Sequence, residues 1–253
     1  MMNFRLTDGV KHIIIINFIF YICSLLIGPS AYQLLSMHFP SSAEFKFWQP
    51  LTYMFMHSQF TAGHIISNML GVFFFAPALE DQWGTKKFVF FYISCGLGAL
   101  LLHVGIDYYS FYKGLRILAD NGISNSEVIS LLKEGKYNPA WQDVMLPRQF
   151  HDFMNAYAGT LLGASGAVYG ILVAYAFLYP NREMMMFLLP IPIKVKYLVA
   201  ATLIMDLYAG FIGYPVFGVD DGIAHFAHLG GAAIGYIMMW YWKKNSYNDK
   251  RWN

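Results

Sequence analysis

Six stretches of this chain are apolar over a length that leaves few structural choices: residues 12–34, 61–79, 87–107, 162–179, 196–214 and 224–242. A helix needs about 20 mostly apolar residues to cross a bilayer, because it rises only ~1.5 Å per residue. Inside lipid, every backbone N–H and C=O must also be bonded within the segment. Composition agrees, with 57% hydrophobic and 13% charged residues, where a soluble domain carries about 25% charged. The fold expected is an all-α membrane protein, a bundle of six transmembrane helices in a lipid bilayer. Disorder is excluded, since so apolar a chain easily offsets its ordering entropy. A net charge of +2 is too small to argue for a nucleic-acid partner. Cys23 and Cys95 lie inside apolar runs, so no disulfide framework is expected. The first apolar stretch exceeds a cleavable signal core and reads as a retained span.

Turn and charge signals bound the spans. Pro40 and Pro50 precede the second, Glu80-Asp81 and Lys86-Lys87 bracket the next junction, and Pro180-Asn181-Arg182 closes the fourth. Placing the N-terminus inside puts Arg5, Lys11, Lys86, Lys87, Arg182, Lys194, Lys196, Lys243, Lys244, Lys250 and Arg251 on the cytoplasmic side. The opposite side then holds Lys46 in a short loop and five more basic residues in a long one, which weigh little in such a count. Both termini are therefore expected in the cytoplasm. The long connection, residues 108–161, is polar and reads as an external insertion in an otherwise single membrane domain spanning 1–253. Within it, residues 125–132 read as a short helix, with Ser124 as N-cap and Glu127 three residues on. No internal repeat is present.

Strongly polar groups inside apolar spans are expensive and mark functional candidates. Here they are His64, Asn68, Ser165, Asp206, His225 and His228. In the expected topology the second, fourth and sixth spans run in the same direction. His64, Asn68, Ser165 and His228 then fall within roughly 5–10 Å of the outer ends of their helices. His64 and Asn68 are four apart and share a helical face. Ser165 lies in Gly163-Ala164-Ser165-Gly166, where small neighbours leave its hydroxyl open to a substrate backbone. A helix N-terminus at that point would favour an oxyanion. His228 is a candidate general base for Ser165, and His64 and Asn68 are candidate donors to the tetrahedral oxyanion. Alone, each feature has a structural alternative: a close-packing face for the small residues, a hydrogen-bonded core role for each histidine. Alignment at one depth across three helices is what packing by itself does not require.

From about Trp48 to Tyr241 these residues resemble the rhomboid family of intramembrane serine proteases. The resemblance rests on His64 and Asn68 in the second helix, then Leu79, Glu80, Trp83 and Gly84 at its end. It continues with Gly163, Ser165, Gly166, Tyr169 and Gly170 on the fourth helix, and Ala227, His228, Gly231 and Gly235 on the sixth. It implies a Ser165–His228 dyad, with His64, Asn68 and the Ser165 backbone N–H as the oxyanion hole. Tyr169 would pack on the His228 ring, and Gly231 and Gly235 would let the sixth helix approach the fourth closely. Residues 36–60, with Trp48, Gln49 and Pro50, would form the partly embedded first loop, and the fifth helix the side where a substrate helix enters. No cofactor is implied. The partners implied are transmembrane segments of single-pass clients, in a bacterial cytoplasmic membrane.

Three features depart from the family pattern. His57 and His64 are two residues further apart than usual, His225 is an extra histidine one turn before His228, and the 108–161 insertion is long. His225 reads as a residue of the site's mouth. Asp206 reads as a carboxylate protonated or hydrogen-bonded to a neighbour, in a structural or gate-latching bond rather than as a third catalytic member. A metal site of His57, His64, His225 and His228 is set aside, because no His-Glu-x-x-His helix is present and no carboxylate is expected beside them. An aspartyl protease would need two membrane aspartates, and a transporter repeated halves. An inactive rhomboid-like protein that only binds clients is the remaining alternative; that class lacks the serine or the histidine, and both are present here.

Overall fold

The computed structural model of the chain describes residues 6–186, 189–212 and 224–246. Its helices occur where the apolar stretches lie, with boundaries that local chemistry sets. The first stretch is two helices, α1 (Asp8–Ile27) and α2 (Pro29–Leu35), not one span over 12–34. Gly28 separates them at φ 76°, and Pro29 starts the second, a position where its missing N–H costs nothing. A strand of two residues, β1 (Met37–His38), and a short helix, α3 (Gln49–Thr52), follow, the latter tightening into a 3₁₀ turn at Tyr53–Phe55.

Helix α4 (Ala62–Trp83) begins at Thr61, whose side chain accepts from the Gly63 N–H, and continues through Pro77. The charges at Glu80 and Asp81 do not end it; Gly84 does, at φ 77°, where a side chain would be strained. Helix α5 (Thr85–Asp120) runs past the expected end at 107, so the first part of the expected insertion continues a membrane helix. The rest contains α6 (Asn125–Lys133), α7 (Trp141–Val144) and α8 (Pro147–Ala158). Ser124 does stand at the N-cap of α6, but its hydroxyl pairs with Ser126 Oγ at 2.7 Å and caps nothing.

Strand β2 (Thr160–Leu161) pairs antiparallel with β1, Met37 opposite Leu161, and so ties the first loop to the segment leading into α9 (Ser165–Leu178). A hairpin of β3 (Glu183–Met186) and β4 (Leu189–Lys194) leads to α10 (Val195–Ile212), and the last described element is α11 (His225–Ser246). The final two residues of the expected fifth span, like Arg5, Lys250 and Arg251, lie outside the described residues. Among the described residues, four helices are long and apolar enough to cross a membrane: α1, α4, α5 and α10; α9 is apolar but shorter.

Glycine decides how the central helices meet. A Cβ on Gly231 of α11 would overlap the Gly166 carbonyl oxygen of α9, and one on Gly235 would lie 2.8 Å from Gly170 Cα. The two helices thus touch backbone to backbone through glycines one turn apart on each. Gly98 of α5 faces α11 similarly, a Cβ there lying 3.2 Å from the Gly230 oxygen. Around this contact sits the main apolar cluster, which includes Ile65, Val72, Phe91, Cys95, Ala167 and Ile171. A second cluster joins the far half of α5 to α6, α7 and α8, with Trp141, Phe153 and Phe111 at its centre and Phe39 added from the first loop.

At the end where α4 closes, one carboxylate organises three helices. Glu80, only 4% exposed, accepts from the backbone N–H groups of Gly9 and Val10 at 2.8 Å each. It also accepts from the hydroxyls of Thr85, at 2.5 Å, and Thr7. Thr7 makes no cap bond to its own helix, so α1 is capped from a distance by α4. Beside it, Trp242 of α11 stacks edge-on against Trp83, and the Lys87 ammonium sits 4.0 Å over its ring.

Candidate active site

The opposite end of the bundle gathers the polar residues. Ser165 is the first residue of α9, so its hydroxyl and backbone N–H stand where a helix leaves its amides unpaired. The chain enters from β2 through Gly163, whose φ of 122° suits glycine and whose N–H donates to Tyr53 O at 2.9 Å. A Cβ on Gly163 would lie 2.9 Å from His64 Nε2 and 3.7 Å from Ser165 Oγ, so His64 of α4 reaches the approach to Ser165.

The tautomer of His64 follows from its other side. The Ser58 N–H donates to His64 Nδ1 at 3.3 Å, which makes Nδ1 the acceptor and leaves Nε2 carrying the proton. His64 thus presents a donor toward the Gly163–Ser165 segment. The connection of 56–61 that supplies Ser58 is non-helical. His57 stands edge-on to His64 with ring centroids 5.1 Å apart. Its side chain is fully buried, which pushes the imidazole down to about 4 and keeps it neutral at pH 7. Asn68, one turn along α4 from His64, donates from Nδ2 to the His64 carbonyl at 2.9 Å, leaving one further amide proton.

From α11, His228 lies flat against Tyr169 of α9, with centroids 4.2 Å apart and planes 11° from parallel. Tyr169 is one turn beyond Ser165, so the stack brings the imidazole to the same helix as the hydroxyl. The glycines make this approach possible: beside the Gly231–Gly166 contact, a Cβ on Gly166 would lie 3.4 Å from the Ala227 carbonyl. No hydrogen bond joins Ser165 to His228 among the described residues; such bonds are often long before substrate arrives.

Asp206, expected to be protonated or hydrogen-bonded to a neighbour, is bonded to two histidines. Its Oδ1 accepts from His225 Nδ1 at 2.7 Å and from His228 Nδ1 at 3.1 Å. The absence of a carboxylate, one ground for setting a metal aside, is therefore corrected: ligand atoms of Asp206, His225 and His228 all lie within 4.8 Å of one another. As they stand, these atoms bond to each other. The sequence hides the arrangement because the aspartate is 19 and 22 residues from its partners, beyond any helical period. The sequence reading also missed Arg148 of α8, whose guanidinium donates to the Phe211 carbonyl at 2.7 Å and to that of Ile212, both on α10.

Apolar helices of spanning length around a buried polar layer define an integral membrane protein of helical-bundle type. The sequence profile of the rhomboid domain matches residues 44–119 and 144–245. This chain belongs to the rhomboid family. It is 26% identical over 217 residues to the rhomboid protease AarA of Providencia stuartii, covering 85% of this chain and 60% of that one. It is 24% identical over 184 residues to RHOMBOID-like protein 12, mitochondrial, of Arabidopsis thaliana, covering 71% and 42%. It is 29% identical over 89 residues to Rhomboid protein 1, mitochondrial, of Saccharomyces cerevisiae, covering 35% and 24%. The chain thus spans less than two thirds of the length of these relatives. Residues 120–143 fall between the two matched stretches, narrower than the expected insertion of 108–161.

Proposed function

We propose that this chain is an intramembrane serine endopeptidase that cleaves in or near transmembrane segments of single-pass client proteins. Ser165 is the nucleophile and His228 the base. Ser165 Oγ attacks the scissile carbonyl carbon as its proton passes to His228 Nε2, and the imidazolium then protonates the departing amine as the C–N bond breaks. Water, deprotonated by the same imidazole, releases the acyl group and restores Ser165. His64 Nε2–H, the free Asn68 amide proton and the Ser165 N–H hold the oxyanion; one such donor contributes about 3 kcal/mol to lowering the barrier. No cofactor takes part.

One observation carries this reading: Ser165, His64 and the Tyr169-stacked His228 converge at one end of the bundle from α9, α4 and α11. The short length of α9 supports it further. Its 14 residues span roughly 21 Å, less than the ~30 Å hydrocarbon layer, so a hydroxyl at its first position lies below the membrane surface. The topology proposed is six spans in one membrane domain over 1–253, with both termini cytoplasmic, in a bacterial cytoplasmic membrane. The short-loop Lys and Arg count supports that orientation.

The test is cleavage of a fluorescently labelled single-pass transmembrane peptide by purified protein in liposomes. Ser165→Ala and His228→Ala should each lower turnover by about 10⁴-fold or more. Cleavage at the wild-type rate by either variant sinks the dyad and leaves a client-binding protein as the reading.

A further inference from the structure

The dyad reading leaves a buried carboxylate unexplained. Asp206 is 6% exposed on an apolar helix, where an ionised group persists only if something is gained by keeping it. Two imidazole Nδ1 atoms donate to it, both on one oxygen, Oδ1, and the Tyr169 side chain also interacts with the carboxylate. Its Oδ2 is buried with no hydrogen-bond partner among the described residues. A carboxylate oxygen has two lone pairs, so it accepts both N–H protons, and each neutral imidazole that donates from Nδ1 has its unprotonated nitrogen at Nε2.

Resting on the reading of His228 as base to Ser165, we propose that Asp206 is a positioning residue for that base. It holds the His228 ring in the Nδ1–H tautomer and stabilises the imidazolium while the proton resides there. Tyr169 fixes the plane of the ring by stacking, and Asp206 fixes which edge of that plane carries the proton. The site is then a serine–histidine–aspartate relay in which the acid comes from α10, the helix expected to border substrate entry. His225 also donates to that oxygen and so links α11 to α10. A metal-bound form would look different: ligands about 2.0 Å from one ion stand about 3.3 Å apart in tetrahedral geometry, whereas His225 Nδ1 and Asp206 Oδ1 are at a hydrogen-bond distance of 2.7 Å.

The rival role for Asp206 is a latch between α10 and α11 through His225, and the variants separate the two. With the labelled peptide, Asp206→Asn should lower kcat at least 100-fold with KM within twofold of wild type, while His225→Gln stays within fivefold in kcat. A loss of the same size in both variants overturns positioning in favour of the latch. Retention of kcat within threefold in Asp206→Asn, alongside an inactive Ser165→Ala, overturns it while leaving the dyad standing; an active Ser165→Ala fails the dyad itself. Should Asp206→Asn not fold, nitrogen-15 NMR of histidine-labelled wild type decides. The signal lost in His228→Ala is expected from an Nδ1–H tautomer, and an Nε2–H tautomer overturns the proposal. Wild-type cleavage should be unchanged by chelator; loss restored by zinc overturns it by making the three groups a metal centre.

Discussion

Two buried carboxylates, Glu80 and Asp206, sit at opposite ends of the same bundle and are solvated in opposite ways. Glu80 spreads its charge over four donors, two backbone amides and two hydroxyls, none of which titrates. Asp206 takes two imidazole donors on one oxygen, with the Tyr169 side chain beside it, and its other oxygen has no hydrogen-bond partner among the described residues. A fully satisfied carboxylate at a helix N-terminus is structural: it offsets desolvation and joins α1, α4 and α5. A half-satisfied one bonded to titratable rings holds less together and is available to protonation chemistry. Burial alone does not distinguish a structural acid from a functional one; the identity of its donors does.

The largest effect that should sharpen this contrast is on stability. Glu80→Ala leaves two buried amides without a partner, at roughly 1–3 kcal/mol each. A loss of about 4 kcal/mol is expected in denaturation in detergent, with unchanged kcat in the fraction that remains folded. A variant as stable as wild type would erase the distinction between the two acids.

Acid should reveal the next difference, because the Ser165 end buries the neutral imidazole of His57. His57 falls from 6.5 to about 4 in the fold, so between those values the unfolded chain holds a proton that the folded chain does not. The stability it contributes is complete above pH 6.5 and is lost as pH falls toward 4, in all up to about 3 kcal/mol at 1.36 kcal/mol per unit. Denaturation curves at pH 7 and pH 4.5 should show that loss in wild type, and His57→Phe should remove it. An equal pH dependence in the two proteins assigns the acid sensitivity elsewhere.

The smallest expected effect concerns how α10 is held. Its Phe211 and Ile212 carbonyls accept from the exposed Arg148 guanidinium, in contrast to the buried carboxylate that caps α1. Arg148→Ala should therefore cost about 1 kcal/mol or less globally, yet raise hydrogen exchange at the end of α10. Exchange unchanged there would show that α10 is held by other contacts.

Much of the fold was legible in residue order. Apolar length located the helices, since lipid allows few other structures. The small residues at Gly166, Gly170, Gly231 and Gly235 announced where two helices touch, because only glycine lets backbones meet. The break at Gly28 and the continuation of α5 to Asp120 were not legible: the first depends on one residue's left-handed φ inside an apolar run. The second depends on a polar stretch finding the apolar cluster of Trp141 and Phe153 to cover it.

The candidate site divides in the same way. Ser165, His64 and His228 could be named from motif spacing, which records residues one turn apart on a helix. Their sequence determined an apolar helical chain with polar groups in one layer, because the cost of burying backbone and charge in lipid acts on each segment separately. Only the tertiary structure decided that Asp206 shares one oxygen between His225 and His228, that Ser58 sets the tautomer of His64, and that Arg148 bonds to carbonyls of α10. Those are contacts between segments, and they depend on how helices rotate and approach one another, which no local spacing encodes.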